Sequence, residues 1–122
     1  MLNPILTKNF IAGAAIPACS IVKFGANDNT VIPAAANTDF TLGVTTSLAA
    51  ANADRVDVIF EGVAEVIYGG TVTRGQPLMS DATGRAITAV PGAGVRIIGI
   101  AIQSGVVGDI GSVLLDRGIY SA

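Results

Sequence analysis

The chain of 122 residues contains no histidine, no tryptophan and one cysteine, with seven lysines and arginines against nine acids. Each shortage excludes something. Without histidine neither a Ser–His–Asp nor a Cys–His nucleophilic arrangement can form, and the commonest metal ligand is missing. One cysteine makes no intrachain disulfide and no cysteine-rich zinc site. A formal net charge of -2 gives no cationic face to displace the counterions of a duplex, so no direct nucleic-acid partner is expected. The apolar run 97–102 lies between Arg96 and Asp109, far short of the ~20 residues of a membrane span, and no membrane association is expected. Charged residues are 13% of the chain, against about 25% in ordinary domains. Uncharged surface tends to associate. Part of the exterior is therefore expected to lie under other chains, unless Ala, Gly, Ser, Thr and Asn keep it soluble without charge.

What is present is apolar and small. Hydrophobic residues make up 51% and aromatics 5%, so bulk comes from Ala, Val and Ile. The length suits one domain with a real core. Residues 1–12 read as an extended arm, because Asn3-Pro4 blocks helix and no alternation follows. The motif from Lys8 through the apolar stretch to Cys19 resembles a lipoprotein signal, but that stretch is short and broken by Gly13 and Pro17. Residues 13–122 form the single β domain. Strand signals recur at 20–24, 30–32, 42–46, 56–60, 63–68, 77–79, 86–88, 97–102 and 112–115, divided by turn residues. Pro33 marks an edge, and Gly62 a turn between two strands. Residues 47–52, rich in alanine, suit at most one short helix or a loop equally well. The expected class is all-β, a compact barrel or sandwich.

The two halves resemble each other. Gly13 and Gly69, Gly43 and Gly99, and Gly62 and Gly118 each lie 56 positions apart. At the same offset Ile16 meets Val72, Val22 meets Leu78, Val31 meets Ile87, Leu42 meets Ile98, Val44 meets Ile100, Ile59 meets Leu115 and Val63 meets Ile119. About one such glycine coincidence would arise by chance, so pseudo-repeats at 13–66 and 69–122 are inferred, packed face to face. Cys19 falls opposite Gly75, which favours a small buried residue.

No enzyme constellation survives inspection. Asp54, Asp57, Glu61 and Glu65 are the densest acids, but Asp57 alternates with Val56 and Val58, and Glu61 and Glu65 flank Gly62. They read as a solvated sheet face rather than a carboxylate pair. Asn27-Asp28-Asn29 lacks the acids of a calcium loop, and Gly92-Ala93-Gly94 is not a dinucleotide fingerprint. No metal and no cofactor are expected. Arg74, Arg85, Arg96 and Arg117 could pair with acids of a neighbouring subunit or solvate turns.

The run from Gly69 to Ile87, GGTVTRGQPLMSDATGRAI, resembles the core of the tailed-bacteriophage capsid decoration (cement) proteins. In that family a Gly-x-x-Val-x-x-Gly stretch leads to an apolar pair, an Asp-x-x-Gly-Arg-Ala turn and an apolar residue. Ile98-Gly99-Ile100-Ala101, Gly108-Asp109 and Val113-Leu114-Leu115 are similar to its closing strands. Leu42-Gly43-Val44 and the run 61–66 match more loosely, and Gln76 departs from the acid many relatives carry. The resemblance implies a non-enzymatic virion protein on the outer capsid surface, with the major capsid protein as partner and a homotrimer as the self-assembly. Leu2, Asn3, Pro4, Ile5, Leu6 and Thr7 are then expected to bind the capsid, with Ile5 and Leu6 as apolar anchors. The alternatives are a tail-tube or fibre-base module, or a ligand-binding barrel with an aromatic-lined pocket, for which two Tyr and no Trp offer little.

Overall fold

The computed structural model describes residues 2–120, and among them there is strand and turn but no helix. Nine strands follow in order: β1 Asn3–Ala12, β2 Ile21–Phe24, β3 Thr30–Pro33, β4 Gly43–Thr45, β5 Arg55–Ile67, β6 Pro77–Ser80, β7 Ala86–Thr88, β8 Arg96–Ala101 and β9 Ile110–Ile119. The all-β expectation holds. Residues 47–52 are not helical, because Ala50 exchanges both backbone hydrogen bonds with Ile16, at 2.8 and 2.9 Å.

The first five strands close a ring. β1 pairs with β3, β3 with β2, β2 with β4, β4 with β5, and β5 returns to β1. Residues 3–12 are extended, but they are not a free arm. β1 lies antiparallel along β5 from Asn3↔Val63 to Ile11↔Arg55, and Phe10 and Ala12 are core. The polar residues of 1–9 hid this pairing from a search for alternation. Pro33 is not on an outer edge, since β3 sits between β1 and β2. Its missing N–H costs nothing there, because the β1 ladder ends at Ala12↔Val31.

The turn expected at Gly62 is absent. β5 runs unbroken through it, so two expected strands are one. Gly62 has φ of +100°, a conformation side chains resist. A Cβ there would lie 2.5 Å from the Asn3 carbonyl oxygen and 2.8 Å from the Ile5 nitrogen.

β5 belongs to both halves. Its end, from Val63 to Ile67, pairs with β9, and β9–β8–β6–β7 continues to a bridge between Tyr68 and Ala86. The pairings of the first half recur in the second. Ile21↔Val44 and Val22↔Gly43 return as Pro77↔Ile100 and Leu78↔Gly99. Phe10↔Val56 returns as Val66↔Gly111, and the bridge Ile16↔Ala50 as Val72↔Gly105. Left-handed backbone recurs as well, at Cys19, Asn29 and Ala53 and again at Gly75, Gly84 and Gly108. The spacing is not a uniform 56 throughout. Asn29 and Gly84 are 55 apart because the β6–β7 hairpin is one residue shorter; the offset returns to 56 at Val44 and Ile100 and is 55 again from Ala50 and Gly105 to Ala53 and Gly108. The pairings therefore match Val31 to Ala86 and Ile59 to Leu114, not to Ile87 and Leu115 as the sequence offset suggested.

The halves do not meet face to face. Ile21, Val44 and Ile59 form one cross-strand row on the outside of the first ring. That row is fully buried and clusters with Ala64, Val66, Leu78, Ile98 and Leu115 inside the second half. Each such side chain contributes about 1.5–3 kcal/mol of burial. The inside of the first ring is a separate cluster built on Phe10, Val22, Val31, Val56 and Val58.

Candidate functional site

The segment expected to bind a partner, residues 2–7, is exposed along its whole length. Its register explains the presentation. Pro4 pairs with Gly62 and Leu6 with Glu61, so Ile5 is the extra residue of a β-bulge and leaves the ladder. Ile5 is 81% exposed, and Leu2 and Leu6 are each 49%. Gly62 makes this possible by letting β1 approach at the bulge. The anchors named from sequence thus sit on a strand already fixed to the body. Farther along β1, Asn9 donates to Asp57 at 3.1 Å and accepts from Arg55 at 3.2 Å.

The remaining polar residues serve local structure. Asp54 accepts from the Ala51 N–H at 3.0 Å, and Glu61 pairs with Arg117 at 3.3 Å, so the acids form no catalytic pair there. Among the described residues no three metal-ligating side chains gather. Asn27-Asp28-Asn29 is a turn, with the Thr30 hydroxyl donating to the Asn27 carbonyl at 2.5 Å. Cys19 is buried; burial first, then Glu65, pushes its thiol above the usual range. Tyr68 is raised likewise by burial and then by Asp109, and its hydroxyl donates to the Gln103 carbonyl. Of the four arginines of the second half, two form ion pairs within the chain: Arg117 with Glu61, and Arg85 with Asp81 at 3.0 Å. Arg96 covers the Phe40 ring, 5.2 Å from its centre. The Gln76 side-chain oxygen accepts from the Thr73 N–H and the Thr88 hydroxyl, each at 3.0 Å.

Sequence reasoning missed one feature. An aromatic-lined cavity of about 580 Å³ opens at the end of the first ring, walled by Lys8, Phe10, Phe24, Leu42 and Phe60 together with the turn 25–29. Neither Tyr nor Trp was needed. All four phenylalanines fall within the first 60 residues, and that clustering was the available signal. Phe24, 53% exposed, stacks on Phe40 with ring centres 6.1 Å apart. On the second half Ile110, Leu114 and Ile119 are also exposed.

A fixed exposed apolar strand and a low share of charged residues make a surface suited to being covered. Residues 3–119 match the family model described as phage cement protein. The chain belongs to the phage cement protein family. Membership makes it a structural protein of the phage virion, associated with the capsid, and the family's role is not enzymatic. No curated protein matches the chain. Among solved structures it is similar to the head fiber gp8.5 N base of bacteriophage phi29, with a TM-score of 0.70 at 17% identity over 91% of this chain and 93% of that one. At that identity the likeness is one of fold.

Proposed function

We propose that the chain is a non-enzymatic cement protein of an icosahedral head. It binds the outer surface, bridges neighbouring major capsid subunits and stabilises the mature shell. It acts as a homotrimer, and the capsid-facing segment is Leu2, Asn3, Pro4, Ile5, Leu6 and Thr7. The observation that carries this reading is Ile5, 81% exposed on a bulge of a paired strand. A large apolar side chain held out by fixed backbone loses little freedom on binding.

The mechanism is mass action. A protein that binds only the mature lattice stabilises it by RT ln(1 + [L]/Kd) per site. Three linked copies raise avidity by roughly 10²–10⁴ over one.

The test is co-sedimentation with emptied capsids. The chain is expected in the pellet, and Ile5→Glu is expected to weaken binding about 10- to 100-fold, the worth of one buried aliphatic side chain. Failure of the wild-type chain to pellet would remove the reading. The fibre-base alternative shares the fold and predicts density projecting from the head rather than a layer spread over capsomers, which imaging of decorated shells separates.

A further inference from the structure

The first half buries its outer row by inserting it into the second half. The equivalent row of the second half, Pro77–Ile100–Leu114, is formed by the same cross-strand pairings but is only partly covered, with Pro77 and Ile100 half-buried and Leu114 exposed. Ile21, Val44 and Ile59 are at most 1% exposed, whereas Leu114 is 46% exposed. The receiving surface is duplicated too. In the second half Ala64, Val66, Ile98 and Leu115 receive the row. Their counterparts in the first half are Lys8, Phe10, Leu42 and Phe60, and these wall the 580 Å³ cavity. The hairpin also corresponds: the Ile21 N–H donates to the Gly84 carbonyl at 2.8 Å, and Asn29, the match of Gly84, stands in the cavity wall. One chain thus carries one filled socket, one empty socket and one unused plug.

We propose that the cavity at Phe10, Phe24, Leu42 and Phe60 receives the Pro77–Ile100–Leu114 row of a second copy, so that copies join head to tail. The occupant is set by the chain itself, because the contact repeats between molecules a packing already made inside each one. The Ile21–Gly84 hydrogen bond does not carry over, nor does the one from the Ile67 N–H to the Cys19 carbonyl at 3.1 Å, whose equivalent donor, Ile11, is already engaged. Pro77 has no N–H to give, and the Asn29 carbonyl already accepts from Ile11 at 2.8 Å. Plug and socket are different surfaces, so the interface is heterologous and can close a ring. The inference rests on the self-association in the proposed function and names the surfaces that produce it.

Sedimentation equilibrium of Leu114→Glu and Phe24→Glu tests it. Circular dichroism and thermal unfolding are run alongside, with Leu114→Ser and Phe24→Ser replacing either glutamate variant that misfolds. Each variant alone is expected to associate at least tenfold more weakly than wild type. An equimolar mixture is expected to form a one-to-one pair, because the first variant keeps its socket and the second keeps its plug. A monomeric wild type, a folded variant that assembles like wild type, or two variants that stay apart when mixed would each overturn the inference. Capsid co-sedimentation of the same samples keeps the two ideas distinct. A wild-type chain that pellets with shells but never self-associates retains capsid binding and loses head-to-tail joining, and the converse result does the reverse.

Discussion

Gly111 has no side chain because the Tyr68 ring fills that space; any Cβ would overlap the ring. The matching positions of the first half are Val56 and Ala12, with the large ring carried instead by Phe10, across from Val56. Each half thus buries one aromatic ring, Phe10 or Tyr68, at a different place in the same frame. Gly111→Val is expected to cost about 1–3 kcal/mol by overpacking. Adding Tyr68→Ala is expected to cost less than the two single changes together, with a coupling of about 0.5–3 kcal/mol in a denaturant double-mutant cycle. Asp81 yields a second prediction at this scale. Burial alone would raise its pKa, but the N–H groups of Thr83 and Arg85, the Thr83 hydroxyl and the Arg85 charge outweigh burial and hold it below the usual 3.8. A lowered carboxylate stabilises the fold above its unfolded pKa and loses that contribution as pH falls through the folded one. The unfolding midpoint of Asp81→Asn is therefore expected to fall less than that of wild type when pH drops from about 5 to 2. Equal falls would show that the turn does not depend on the ionised group. The Asp-x-x-Gly-Arg-Ala pattern made this turn legible in sequence, whereas the exchange between Tyr68 and Gly111 was not, since it needs both halves superposed.

At the scale of elements, the strands were legible where apolar and polar residues alternate, as at Val56, Asp57 and Val58. They were not legible where the pairing partner is distant. β1 shows no alternation over residues 3–9 because all of these side chains are exposed; its strand character comes from β5. Gly62 was misread as a turn because glycine marks turns and bulges alike in sequence. Its role supplies a further prediction. Gly62→Ala is expected to cost roughly 1–3 kcal/mol from the positive φ and to release the start of β1 first. Hydrogen exchange should then show amide protection lost at residues 3–7 before the rest of β1, and uniform loss along the strand would contradict this. The candidates for capsid binding were named from their place in the N-terminal arm and from the family resemblance; the bulge that projects Ile5 was invisible until the register was known.

For the whole molecule, the scarcity of charge was the most informative property of the sequence. It pointed to covered surface, and the exposed residues Ile5, Leu48, Ile110, Leu114 and Ile119 supply surface suited to covering. If shell binding buries such residues rather than pairing ions, its affinity should change little with salt, because screening acts on exposed charges. Co-sedimentation at about 0.05 and 0.5 M salt is expected to give dissociation constants within tenfold. A steep salt dependence would point to ion pairing instead. The duplication was legible as a spacing, and the strand shared by its halves was not, because a uniform offset implies two separable units.

Sharing β5 has a mechanical consequence. Its 13 residues run through both halves without a linker, so the halves are joined by continuous paired backbone. Load applied at one end travels along a single backbone whose lateral bonds to β1, β4 and β9 resist it in shear, all together rather than one after another. In the proposed bridging role, a swelling shell would be pulling on a tie rod, not on a hinge.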